Sequence, residues 1–152
     1  MVVQKSVVQS RVFGELEVNE ENIITFEEGI PAFENLKKFV IVKEEGSPFL
    51  WLQSIEDKDV AFVIINPFDI KPDYEFDIGE EVLKKLEIES ERDVAVFCIV
   101  VIPEDVKQTR VNLKAPIIIN VNKRKGMQYL LDDERYPLRY YLFENLNSNV
   151  QK

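Results

Sequence analysis

The sequence predicts a single, mostly β domain: a largely antiparallel barrel or sandwich with one convincing helix. Three observations predict it. Short runs rich in Val, Ile and Phe recur along the chain, each bounded by turn residues, which is the pattern of many short strands. Ile117-Ile118-Ile119 places β-branched side chains in a row, stiff at χ1 and suited to a packed strand. The 152 residues hold no repeat, linker or composition break, which suits one domain. A chain of this mass exposes roughly 8,000 Å² when folded against about 26,000 Å² unfolded, enough burial for a core without staples. The domain is set at residues 1–144, and the polar residues 145–152 are expected to fray.

Taken in order, Val12 to Val18 alternates with period two and reads as a strand. Residues 19–22 turn, and Ile23 to Phe26 forms a second strand. Gly29 and Pro31 break regular structure, and Ala32 to Lys38 is read as one helical turn. Phe39 to Lys43, Phe49 to Ser54 and Val60 to Asn66 follow as strands, the last ended by Pro67. These runs are apolar on both faces, so parts of the sheet should be covered on both sides. Asp77 to Glu89 is the predicted helix, with Asp77 as N-cap and Glu80 completing a capping box. Ile78, Val82, Leu83 and Leu86 mark its inner face. Val94 to Ile102 is the longest core strand, and Val106 to Leu113 continues the sheet. Pro116 lacks a ladder donor and fits the start of the strand Ile117 to Val121. A polar turn over residues 122–126 and a return strand from Met127 to Leu131 complete a hairpin. Tyr136 to Phe143 is amphipathic, without a pattern that decides its type.

Composition excludes much chemistry. There is no histidine, which removes the commonest general base, Ser-His and Cys-His nucleophile pairs and most zinc sites. No glycine-rich phosphate loop is present. The single cysteine, Cys98, lies mid-strand, where a buried thiol is inert; a lone cysteine also suits a reducing compartment. No catalytic, cofactor-binding or metal-binding residue is therefore assigned, and no small-molecule substrate. A formal charge of −9 disfavours direct nucleic-acid binding and favours basic partners. The basic turn Lys123-Arg124-Lys125 is read as a solvated hairpin loop that blunts an edge. Without a signal peptide or an apolar run long enough to span a bilayer, the chain is expected in the cytoplasm, off the membrane.

Five motifs, in order, carry a resemblance to a known family. They are Gly29-Ile30-Pro31-Ala32-Phe33-Glu34; Phe49 to Ser54, with its Leu52-Gln53-Ser54 end; Ala61-Phe62 followed by Asn66-Pro67; Val111-Asn112-Leu113; and Ala115-Pro116-Ile117 with Ile119-Asn120. Gln128 and Tyr136 follow. Together, over roughly Phe13 to Phe143, the chain resembles the flagellar assembly factor FliW family. Ala32 stands where that family usually has Gly, and would be strained if the position needs positive φ.

The resemblance implies a small antiparallel β-barrel-like single domain with one or two short helices, and no enzymatic activity. It implies a chaperone-like factor that binds flagellin and the RNA-binding translational regulator CsrA, relieving CsrA repression of flagellin translation by partner switching. The free protein is expected to be a monomer. The partner-binding candidates are Glu27, Glu28, Ile30, Phe33, Glu34, Gln53 and Asn120, set against the alternative that the buried or turn-forming ones among them hold the fold. Two other functions compete with this one. A small carboxylate-dependent enzyme would need two close acids in a pocket. An oligonucleotide-binding barrel would need a basic, aromatic-lined groove.

Overall fold

The structure, a computed structural model, describes residues 4–145. The chain first forms a separate hairpin of β1 (Lys5–Ser10) and β2 (Gly14–Asn19). The barrel strands are β3 (Ile24–Thr25), β4 (Lys38–Lys43), β5 (Phe49–Ser54), β6 (Ala61–Ile65) and β7 (Val94–Val101), followed by β9 (Ile117–Asn120) and β10 (Lys125–Gln128). Neighbours run β7-β6-β5-β4-β3-β10-β9, and β9 pairs back onto β7, so seven strands close a ring. All pairings in the ring are antiparallel except β3 with β10, which is parallel.

Closure depends on β7 being long enough to serve two partners along one edge. Val94 to Phe97 pair with β9, while Val100 and Val101 pair with β8 (Arg110–Val111). β11 (Tyr140–Tyr141) adds to β8 outside the ring. Side chains alternate as the pleat requires. Ile24, Phe39, Leu52, Ile64, Ile117 and Ile119 fill the barrel interior. Between the last two, Ile118 points outward against Val82 of α2 (Glu80–Lys85) and Leu86, the residue that caps its end. Both faces of the triple isoleucine are thus covered, which is why that run carries no polar residue. Gly126 is required here: a Cβ on it would lie 2.7 Å from the buried Phe26 ring.

The mostly β domain and its antiparallel barrel stand as expected. Local differences have local causes. β1 is absent from the sequence reading because its inward face is Ser6, Val8 and Ser10, with one apolar side chain among them, while Val7 is exposed. The hairpin packs on the barrel through Val8, Val18 and Val40. No helical turn forms over residues 32–38: turns end by residue 35 and Lys38 already opens β4, since Ala32 takes φ +75°. Pro67 opens a short helix, α1 (Pro67–Ile70), because Asn66 caps it by accepting from the Phe68 N–H; Pro at the first helical position is well suited.

The helix predicted from Asp77 to Glu89 is confined to α2. Gly79, in extended backbone, is its N-cap without a side-chain bond, so neither Asp77 nor Glu80 forms the expected box. The capping box lies downstream, between Ser90 and Asp93. At the other end Glu87 takes φ +54°, and the N–H groups of Glu87 and Ile88 donate to the carbonyls of Lys84 and Leu83. That is a Schellman stop with a non-glycine residue in the left-handed position. The predicted strand from Val106 to Leu113 shortens to β8 behind a 3-10 turn, Val106–Gln108. The return strand starts at Lys125 and ends at Gln128 rather than running from Met127 to Leu131. The undecided stretch after Tyr136 supplies β11 and then turns helical over residues 142–145. The predicted tail lies, apart from Asn145, outside the described residues.

Candidate partner-binding site

The Gly29–Glu34 loop leaves β3 after Phe26 and folds back on itself. The Phe33 N–H donates to the Ile30 carbonyl at 2.7 Å, and Ile30 is buried beneath the turn. Gly29 has φ +69°, and a Cβ there would sit 2.5 Å from the Glu34 backbone, so only glycine closes the loop. Glu34 accepts from the Ala32 N–H at 3.1 Å. Backbone N–H groups, its own and that of Ala32, hold its carboxyl below the usual range. Phe33 is 37% exposed and rests edge-on against Phe62, with ring centroids 5.2 Å apart. It is the one large apolar side chain that this loop presents outward.

The acids before the loop are tied to the neighbouring strand β10 and to α2. Glu28 pairs with Lys85 of α2 at 2.7 Å, and Glu27 with Lys125 of β10 at 3.6 Å. Lys125 also meets Glu87 at 2.6 Å, and that contact lowers the Glu87 carboxyl. Loop, helix and hairpin are thus laced by exposed ion pairs. Each such pair contributes little to stability.

Gln53 and Asn120 lie inside the molecule. Gln53 is fully buried: its Oε1 accepts from Ser10 Oγ at 2.7 Å, and its Nε2 donates to the carbonyls of Ser54, Lys58 and Val60. It joins the outer hairpin to the β5–β6 turn. Asn120 is 1% exposed and works in two directions. Its Oδ1 accepts from the N–H groups of Asn122 and Lys123, shaping the β9–β10 turn. Its Nδ2 donates to the carbonyls of Leu86 and Glu87, groups that α2 leaves open at its end. Asn112 similarly holds its own turn, accepting from Lys114 and Ala115. Of the seven candidates, Glu27, Glu28, Phe33 and Glu34 reach the surface, whereas Ile30, Gln53 and Asn120 are committed to internal packing and bonding.

The chemistry available is that of a binding surface. Cys98 is buried beside Tyr74, and burial pushes its thiol up to about 12, far from a nucleophile's range. The carboxyls whose proton affinity moves, Glu34, Asp73, Glu87 and Asp133, all move down, opposite to a general acid. No grouping suited to a metal occurs among the described residues. In the basic turn, Lys125 holds its two glutamates and Arg124 donates to the Glu20 carbonyl, leaving Lys123 as the outward cation. A further surface feature escaped the sequence reading: a groove beside α2, lined from residues 68–96. Its apolar residues look, in sequence, like an ordinary core face.

Comparison with known proteins agrees with these motifs. The family model described as FliW protein matches residues 6–142. The flagellar assembly factor FliW of Caldicellulosiruptor saccharolyticus is 88% identical over 152 residues, covering 100% of both chains. That of Thermosipho africanus is 47% identical over 133 residues, covering 86% of this chain and 92% of its own. A crystal structure of a flagellar assembly factor FliW superimposes with a TM-score of 0.86 at 38% identity, covering 91% of this chain and 97% of that one.

Proposed function

The chain belongs to the FliW family, and from that membership we propose that it is a non-enzymatic flagellar assembly factor that binds flagellin and CsrA in turn. Bound to this protein, CsrA no longer represses flagellin translation. Flagellin that accumulates before export occupies the protein and releases CsrA, matching synthesis to secretion. The match along nearly the whole chain is the observation that carries this reading. The charge of −9 supports it too, because a protein that binds RNA is basic and is drawn to an acidic surface. The lowered carboxyls weigh against the enzyme alternative, and the engaged basic turn against an oligonucleotide-binding barrel. The switch operates in the cytoplasm, with the free protein a monomer.

Such a switch needs only two competing equilibria, with flagellin binding tightly enough at its working concentration to take most of the pool. A competition assay tests it. Labelled CsrA is bound to this protein and purified flagellin is titrated in. Displacement saturating at about one flagellin per chain is expected from the overlapping or coupled sites. CsrA binding without displacement would replace flagellin by another input, and binding of neither protein would end the proposal. Affinity for CsrA should also fall between low and physiological salt, since acidic loops act mainly on the rate of encounter.

A further inference from the structure

The groove beside α2 has a volume of about 590 Å³ and lies between β7 and the segments that enter and leave the helix. Leu83, Ile88 and Val96 contribute apolar floor, and Phe68, 41% exposed, stands at the edge. Glu75, Asp77, Glu89 and Glu91 line it, and no lysine or arginine does. Asp77, Glu89 and Glu91 have no ion-pair partner among the described residues. Like charges around an apolar trough repel one another, and the trough leaves apolar surface facing water. A ligand that brought apolar surface to the floor and positive charge to the rim would offset both.

We propose that this groove docks a segment of a partner protein that presents one or two apolar side chains flanked by lysine or arginine. Charge complementarity selects that occupant. An anionic lipid surface or a nucleic acid would meet four carboxylates head-on, and a second copy of this chain would bring a further −9. The volume suits two or three side chains rather than a whole helix face. The inference rests on the reading of this protein as a factor that works by binding other proteins, and it adds the place and chemistry of one contact. The rim carboxylates accelerate encounter and fix register, while the floor supplies the desolvated anchor.

Fluorescence anisotropy with labelled probe peptides tests this. One peptide carries a Leu-Phe pair between lysine pairs; a second replaces Leu-Phe by Ser-Ser; a third replaces lysine by glutamate. The first should bind the intact protein, and the other two should bind weakly. A Glu89→Lys/Glu91→Lys double variant should lose about ten-fold in affinity, and Phe68→Ser about five-fold. A Glu45→Lys/Glu104→Lys variant, which changes the charge equally outside the groove, should lose less than about two-fold. Equal losses in the two double variants would reduce the effect to overall acidity and overturn the proposal, as would no binding of any peptide. Loss of a dimer on Phe68→Ser, seen by sedimentation, would make the groove a self-interface instead. Amide shifts in the unaltered protein give a measure independent of variant folding. They should concentrate at Leu83, Ile88 and Val96, and shifts confined elsewhere would sink the idea. Failure of the CsrA–flagellin competition leaves these peptide measurements standing, and the reverse also holds.

Discussion

Two acid-rich faces of this protein treat their charges in opposite ways. Around the Gly29–Glu34 loop, Glu27 and Glu28 each hold a lysine, and Glu34 holds a backbone N–H. Along the groove, Asp77, Glu89 and Glu91 hold no cation among the described residues. The two faces share α2, whose Lys85 and Glu87 neighbour points to the loop while its Leu83 faces the groove. The difference separates two uses of a carboxylate. Partnered acids shape the molecule, and unpartnered acids are available to something outside it. Glu34, the one acid of these that lies in a motif, is of the first kind, so a motif acid is not thereby a contact.

Substitutions that attack the structural side should show the largest effects. Asn120→Ala strands two carbonyls at the end of α2 and two N–H groups in the β9–β10 turn, and should cost about 3 kcal/mol in urea unfolding. Gln53→Ala should cost a similar amount by freeing Ser10 and the carbonyls of the β5–β6 turn. An Asn120→Ala protein of undiminished stability would remove the view that this motif residue is scaffold. Gly126→Ala forces a methyl against the Phe26 ring and should cost about 1–3 kcal/mol, read from the shift in thermal midpoint.

Smaller effects test the loop itself. Ala32 sits at φ +75°, where an L side chain is strained, so Ala32→Gly should stabilise the protein by about 0.5–1 kcal/mol after the entropy glycine adds to the unfolded chain. The pH response sharpens the comparison further. Glu34 and Glu87 have folded carboxyls below their ordinary value of 4.5, so the unfolded chain binds protons first on acidification. Their contribution is present above that value and is lost as pH falls through the lowered folded values. Lys125→Met removes the main cause at Glu87. Its stability deficit should therefore be present at neutral pH and close as the solution is acidified below 4.5; a deficit that persists unchanged would break the link. Least of all, Glu89→Gln with Glu91→Gln should leave stability within about 0.5 kcal/mol, since neither acid serves the fold.

Most strands were legible because their sequences are largely apolar on both faces, as Phe49 to Leu52, Ala61 to Ile65 and Ile117 to Ile119 are, and none of those residues is exposed. β1 was not, because a half-covered strand that buries serines leaves no alternation to read. The helix was overextended for a physical reason as well. Ile78 sits at helical spacing with Val82 and Leu86, yet Gly79 and the left-handed Glu87 bound the helix, and Ile78 and Ile88 line the groove instead. Sequence singled out the loop and its acids as candidates but could not tell that Gln53 and Asn120 are buried. A polar side chain in a motif has the same letter whether it faces water or closes a turn. The groove was invisible because it exists only where α2 stands off from β7.

The closing of the ring has a consequence for how the protein is made. The parallel pair that seals it joins Thr25 to Lys125, near opposite ends of the chain. Contacts so distant in sequence form slowly, after the entropy of a long loop has been spent. On a ribosome β3 therefore waits with an open edge until β9 and β10 emerge from the exit tunnel. During that interval the nascent chain carries exposed strand edges of the kind that aggregate. Its acidic surface, repelling neighbouring copies, guards it before its own fold does.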